Sequence, residues 1–226
     1  MKLSKNTQAI LKNFSTINQS ILIESGNKVK TVSVNKTMMG NAVVAESFPQ
    51  EFGLYDLPSF LATCALFEDA DLEFGPKSVV ISDGGSSSIE YFYTDKSLII
   101  VSDKEISLSD GDVILDFKMT RAAFDVVQKA AACLGLEYVL WTVKGGEIIL
   151  SVVDANGDNA NSFTTVVGTA DDQEGKIYLK TEYLKFLEGD YTVRIGKLGG
   201  KTPVMELINA DLDLSYFVAL DSHTAI

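Results

Sequence analysis

One histidine, two cysteines, one tryptophan and four prolines are spread through 226 residues, and each scarcity closes off a class of chemistry. A Ser-His-Asp or Cys-His device would have to run through His223, close to the last residue, where a base is hard to hold in register. Zinc binding has no CxxC to start from and one imidazole to draw on. Cys64 and Cys133 lie in apolar stretches of helical period and read as buried, reduced thiols of a cytosolic protein. No run approaches the ~18 apolar residues of a membrane-spanning helix. The first residues hold no apolar core of the kind a signal peptide needs. The expectation is a cytoplasmic protein with no catalytic residue, no cofactor, no metal and no membrane contact.

Positive charge is also scarce: 19 Lys and Arg stand against 31 Asp and Glu, a net charge of −12. Counting alone leaves room for a hydrolase built on two carboxylates. The acidic clusters "FEDADLE" and "TADDQEGK", however, sit at loop-like positions and read as solvated turns. "DANGDNAN" (154–161) imitates a calcium loop but lacks the glycine and the closing glutamate, and reads as a long turn. "SDGGSSS" (82–88) matches no phosphate-cradling motif and reads as a hairpin loop.

What is present is mostly strand alternation, punctuated by helical patterns at 3–18, 57–69, 118–135 and 181–189. Pro58 suits the first turn of the second helix and Gly135 the end of the third. "EYVLWTV" and "EIILSVV" form a hairpin across Lys144-Gly145-Gly146, and a further strand is expected at Leu98–Val101. Helix, strands, helix and three strands occur twice, without repetition of residues. The fold class is α+β: domains at 1–93 and 113–226, each with two helices on antiparallel sheets, joined by a connector at 94–112.

The few bases are not scattered evenly. Wound at ~100° per residue, Lys5 and Lys12 fall on one line, with Lys2 beside them and Leu3, Ile10, Phe14 and Ile17 opposite. In the third helix Lys118, Arg121, Gln128 and Lys129 gather on one side, with Ala123, Val126, Ala130 and Leu134 on the other. Lys185 lies away from the apolar side of the fourth. A solubilising face is one reading of such lysines. Their concentration on corresponding helices of the repeat supports another, a local positive surface for sequence-independent contact with duplex backbone.

"MKLSKNTQAILKNFSTIN" resembles the N-terminus of the sliding clamps, the DNA polymerase processivity factors of T-even-type bacteriophages. "YDLPSFL", "TVKGGEIIL", "EGDYTVRIGK" and "YFVALDS" extend the similarity in order along the chain. The resemblance implies a DNA-clamp fold that closes as a homotrimeric ring around duplex DNA, in the cytoplasm of an infected bacterium. It further implies a DNA polymerase and an ATP-driven clamp loader as partners, late-transcription factors among the clients, and no reaction catalysed. Carried over by position, Lys5 and Lys12 face the DNA; Lys2, Lys118, Arg121, Lys129 and Lys185 are added from the helix faces. A pocket for partner peptides, near the connector and the last strands, is expected at Ile99, Val101, Tyr216 and Val218. A β-rich phage structural or adaptor protein that does not encircle DNA is the competing reading.

Overall fold

The computed structural model describes residues 1–102, 106–154, 161–170 and 174–226. Residues 155–160 of the calcium-loop-like stretch, Asp171-Asp172-Gln173 of "TADDQEGK" and the connector's Asp103-Lys104-Glu105 lie outside the described residues. The chain divides into two compact units, Met1–Glu105 with Asp211–Leu214, and Ile106–Ala210 with Ser215–Ile226.

The first unit opens with helix α1 (Lys5–Ile17) and strands β1 (Ile21–Ile23), β2 (Gly26–Val32), β3 (Met38–Phe48) and β4 (Phe52–Leu54). Helix α2 (Leu57–Cys64) and strands β5 (Asp71–Phe74), β6 (Ser78–Ser82) and β7 (Ser88–Phe92) complete it. Its sheets run β4-β1-β2-β3 and β5-β6-β7, antiparallel throughout. The Ser4 hydroxyl accepts from the Thr7 N–H at 3.2 Å and starts α1. The helix buries Ile10, Leu11, Phe14 and Ile17. Phe14 lies so close to Gly40 of β3 that a Cβ there would stand 2.7 Å from the ring, which explains a glycine inside a strand. Buried Asn18 ends the helix and donates to the Val32 carbonyl at 2.8 Å.

The second unit runs β8 (Val113–Met119), α3 (Arg121–Leu134), β9 (Tyr138–Lys144), β10 (Glu147–Val153), β11 (Phe163–Thr169) and β12 (Gly175–Lys180). β13 (Tyr191–Leu198), β14 (Thr202–Asn209) and β15 (Leu214–Ala219) follow. Strand order repeats between units. β3-β2-β1-β4 has its counterpart in β11-β10-β9-β12, and β5-β6-β7 in β13-β14-β15. Even the β8–β13 ladder has an echo, because the Leu72 N–H at β5 donates to the Met1 carbonyl at 2.8 Å. The Gly145-Gly146 hairpin forms as predicted, both glycines at positive φ (60° and 80°).

Four sequence expectations are corrected. The helix at 181–189 is only a 3-10 turn at Thr181–Tyr183, so helix pairs do not occur in both units. Its backbone groups are claimed by side chains instead. Gln128 donates to the Leu184 carbonyl at 2.9 Å, and the Leu187 N–H donates to the Tyr216 hydroxyl at 3.1 Å. Phe186 is drawn into the core against Phe124 and Tyr216. Second, α2 stops at Cys64, where i+3 bonds from Leu66 and Phe67 (3.2 Å each) tighten the chain into turns. Third, no strand forms at Leu98–Val101; a 3-10 turn occupies Lys96–Leu98, capped by Asp95. Finally, Cys64 is only half-buried and Cys133 is exposed.

Candidate nucleic-acid interface

On α1 the sequence places apolar residues 3, 4 and 7 apart, and burying them turns the opposite side outward. Lys5 and Lys12 are both exposed there, and neither makes an ion pair among the described residues. Lys2 is different. Its ammonium pairs with Asp69, whose hydrogen bond pushes the Lys2 pKa above the ordinary lysine value. The amino group of Met1 likewise pairs with Asp71. Two of the positive charges at this end are therefore matched locally, and Lys5 and Lys12 are left to act at a distance.

The α3 face departs from expectation in register. Thr120 caps the helix, with its hydroxyl accepting from the Ala123 N–H at 3.3 Å. Lys118 therefore lies in β8, exposed, opposite Thr192 of β13. The helix buries Phe124, Val127 and Ala131, and Gln128 flanks that side. Val126, expected inward, is 45% exposed. Arg121 is exposed but committed, pairing with Glu188 and, at 3.8 Å, with Asp125. Lys129 projects from the centre of the outer face and has no ion pair among the described residues. Lys185 is exposed in the chain after the 3-10 turn, not on a helix. Sequence reasoning missed the neutralising partners Asp69 and Glu188, which lie 67 residues from the bases they meet and carry no local signature.

The four residues expected to form a peptide pocket do not act alike. Tyr216 and Val218 are fully buried in the core of the second unit, Tyr216 packing against Phe186 and Tyr191. They offer no surface, and that part of the expectation is corrected. In the first unit Ile99 is buried, and Val101 is half-buried. Val101 and Ile100 line a cavity of about 180 Å³ over Ile21 and Met39, rimmed by Lys28 and Lys96. That volume is below the ~300 Å³ of a small-molecule site and suits a single apolar side chain.

No constellation for chemistry accompanies these surfaces among the described residues. Burial pushes the Cys64 thiol up to about 11, far from a thiolate. His223 Nδ1 lies 2.6 Å from Asp221 Oδ1, but the Ser222 hydroxyl bonds to the same carboxylate and not to the imidazole. No group of three or more His, Cys, Asp or Glu side chains among the described residues could hold a metal. No helix among the described residues is long and apolar enough to cross a membrane.

Two family models match the chain: DNA polymerase processivity factor over residues 2–101, and gp45 sliding clamp, C terminal, over residues 116–222. The sliding clamp of Vibrio phage KVP40 is 31% identical, with 98% of this chain and 100% of that one covered. The sliding clamp of Escherichia phage RB69 is 28% identical, over 98% and 97% of the two chains. That of Enterobacteria phage T4 is 27% identical, over 88% and 89%. Proliferating cellular nuclear antigen from Entamoeba histolytica superposes with a TM-score of 0.69 at 13% identity, over 97% of each chain. The PCNA2–PCNA3 complex from Sulfolobus tokodaii gives 0.67 at 11% identity, over 95% of each, a likeness of fold alone.

Proposed function

Because the chain belongs to the sliding-clamp family of DNA polymerase processivity factors, we propose that it encircles duplex DNA as a homotrimeric ring and tethers the replicative polymerase. The observation that carries this reading is the Lys5–Lys12 line, exposed and without an ion pair among the described residues, in a protein of net charge −12. Weak lysine–phosphate contacts, exchanged freely, hold a duplex without gripping it, while the acidic remainder repels DNA from outside. Lys129 adds a third such contact. Lys2 and Arg121, already paired, contribute less.

Ring closure needs complementary edges on each copy. β7 and β11 are each the end strand of a sheet, and they expose Phe92 (64%) and Val166 (57%). Pairing β7 of one copy with β11 of the next is a head-to-tail contact, which closes under threefold rotation and removes both open edges. Partner peptides with an apolar anchor dock in this reading at the cavity beside Ile100 and Val101, and Ile99 supports that segment from beneath. The polymerase, an ATP-driven loader and late-transcription factors are the partners proposed, in the cytoplasm of the infected host. Processivity then arises from topology, and no reaction is assigned to the chain.

The test is to load the protein onto nicked circular DNA and then linearise the circle. A clamp leaves through the free ends, and its retention returns when the ends are blocked. Retention indifferent to topology, or a monomeric mass by light scattering, overturns the proposal.

A further inference from the structure

The two units treat the space beside their first helix differently. In the second, Gln128 is the eighth residue after the cap Thr120, and it reaches across to the Leu184 carbonyl at 2.9 Å. In the first, the eighth residue after the cap Ser4 is Lys12, exposed and without an ion pair among the described residues. The carbonyls it would meet on α2 are already bonded. That of Leu61 accepts from the Ala65 N–H at 3.0 Å, and that of Ser59 from the Thr63 hydroxyl at 2.8 Å. The gap therefore stays open, as a groove of about 550 Å³ between α1 and α2. That volume lies within the ~300–1,000 Å³ typical of small-molecule sites.

Two backbone bonds give the groove a direction. The Leu57 N–H, at the start of α2, donates to the Gln19 carbonyl just past α1, and the Leu72 N–H donates to the Met1 carbonyl, both at 2.8 Å. The helices thus run antiparallel, with Lys12 toward one end of the groove and Glu68 and Asp69 toward the other. Between these charges the lining is apolar, from Leu3, Pro58, Leu61, Ala65 and Phe67. Leu3, Leu61 and Phe67 are only half-buried, so apolar surface is left in water. Burial keeps the Cys64 thiol neutral, with a pKa of about 11, and it adds no charge to the wall. Asp69 is matched by Lys2, and Glu68 is exposed. Lys12 is the base left for an anion, and Glu68 repels a second anionic group at the far end.

We propose that this groove binds an amphipathic monocarboxylate, its apolar body between α1 and α2 and its carboxylate on the Lys12 ammonium. Covering the half-buried side chains supplies the driving force. The ion pair selects the sign of the head group and fixes which way the ligand lies. A protein of net charge −12 repels anions at long range, so preference for a carboxylate here reads the local charge of the groove. Occupancy also withdraws Lys12 from the line it shares with Lys5. Ligand and duplex then compete, a consequence that rests on the clamp reading above, as the site itself does not.

The test is a titration of the full chain with decanoate, followed by methyl NMR. Saturable shifts are expected at Leu61 and Ala62, and none at Val193 of β13. Decyltrimethylammonium has the same tail and a charge the acidic protein attracts, yet it should bind these positions more weakly. Lys12→Gln should weaken decanoate roughly two- to fivefold, the range of an exposed ion pair. Ala62→Trp, which fills the groove from an exposed helix position, should abolish the shift at Leu61 while the spectrum of the second unit is unchanged. Decanoate should also raise the DNA concentration needed for half-maximal association. No saturable shift at Leu61, equal affinity for the cation, or decanoate affinity unchanged in both variants overturns the site. Retention on DNA that is indifferent to topology overturns the clamp reading instead and leaves the decanoate titration as it was.

Discussion

Gly196 of β13 lies so close to Asp112 that a Cβ at the glycine would come within 2.1 Å of the Asp112 carbonyl oxygen. Leu108, buried, would be met at 3.1 Å. The segment before β8 is therefore laid directly on the strand, with no room for a side chain between. In the first unit Gly53 plays the same part under Thr94, whose carbonyl oxygen would be 2.6 Å from an added Cβ. A backbone neighbour cannot swing aside as a side chain can. Gly196→Ala should cost about 1–3 kcal/mol, read as a lower denaturation midpoint. Faster exchange at Asp112, whose N–H is bonded to Ser109, should accompany it. An unchanged midpoint would show that the segment yields.

The face of α1 was legible because its apolar period is unbroken and its cap, Ser4, is a standard helix starter. The face of α3 was misjudged because the count began at Lys118, which belongs to β8; capping by Thr120 shifts the buried side to Phe124, Val127 and Ala131. The 181–189 stretch has helical spacing, but Gln128 and Tyr216 take its backbone groups, a tertiary effect no local pattern carries. The same limit hid Asp69 and Glu188. A basic residue's availability depends on partners far along the chain, and only the fold brings them together.

That pairing ranks the lysines. Lys5→Glu with Lys12→Glu should sharply reduce loading onto DNA and stimulation of the polymerase while the trimer persists. Lys2→Ala, which removes a charge already matched by Asp69, should have a much smaller effect. The salt dependence of DNA association should flatten in Lys5→Ala/Lys12→Ala by up to about two phosphate contacts per subunit of the proposed ring. Equal losses from Lys2→Ala and Lys5→Ala would show that local pairing does not govern the DNA contact.

Glu46 of β3 fastens the start of α1, accepting from the Ser4 N–H and the Thr7 hydroxyl. Burial pushes its carboxyl up, but these hydrogen bonds outweigh burial and hold it below the ordinary glutamate value. A carboxyl whose pKa is lower folded than unfolded stabilises above the unfolded pKa, and that stability is lost as pH falls through the folded value. Glu46→Ala should cost about 1–3 kcal/mol at pH 7. Urea titrations should show the difference from the native chain shrinking as pH drops below the glutamate range. A difference that is constant down to acid pH would contradict the assignment.

Arg194 and Glu206 present the opposite case. They pair at 2.8 Å between β13 and β14, with Glu206 buried and Arg194 also bonded to exposed Asp110 at 2.7 Å. Burial pushes the Glu206 carboxyl above the ordinary glutamate value, and Arg194 only partly offsets it. The folded state therefore binds this proton more tightly than the unfolded one. Stability from this group is fully present below the unfolded pKa and declines as pH rises through the folded value. Removing the guanidinium widens that window upward by leaving a buried carboxylate without its counter-ion. Arg194→Ala should thus cost about 3–5 kcal/mol at pH 7 and noticeably less at pH 4, where the Glu206 carboxyl, whose pKa is held above the ordinary glutamate value, is protonated. The double variant Arg194→Met/Glu206→Leu, which removes both charges, should recover most of the loss at pH 7. Chemical denaturation of the three chains at both pH values decides the matter, and an Arg194→Ala penalty equal at both would refute the coupling.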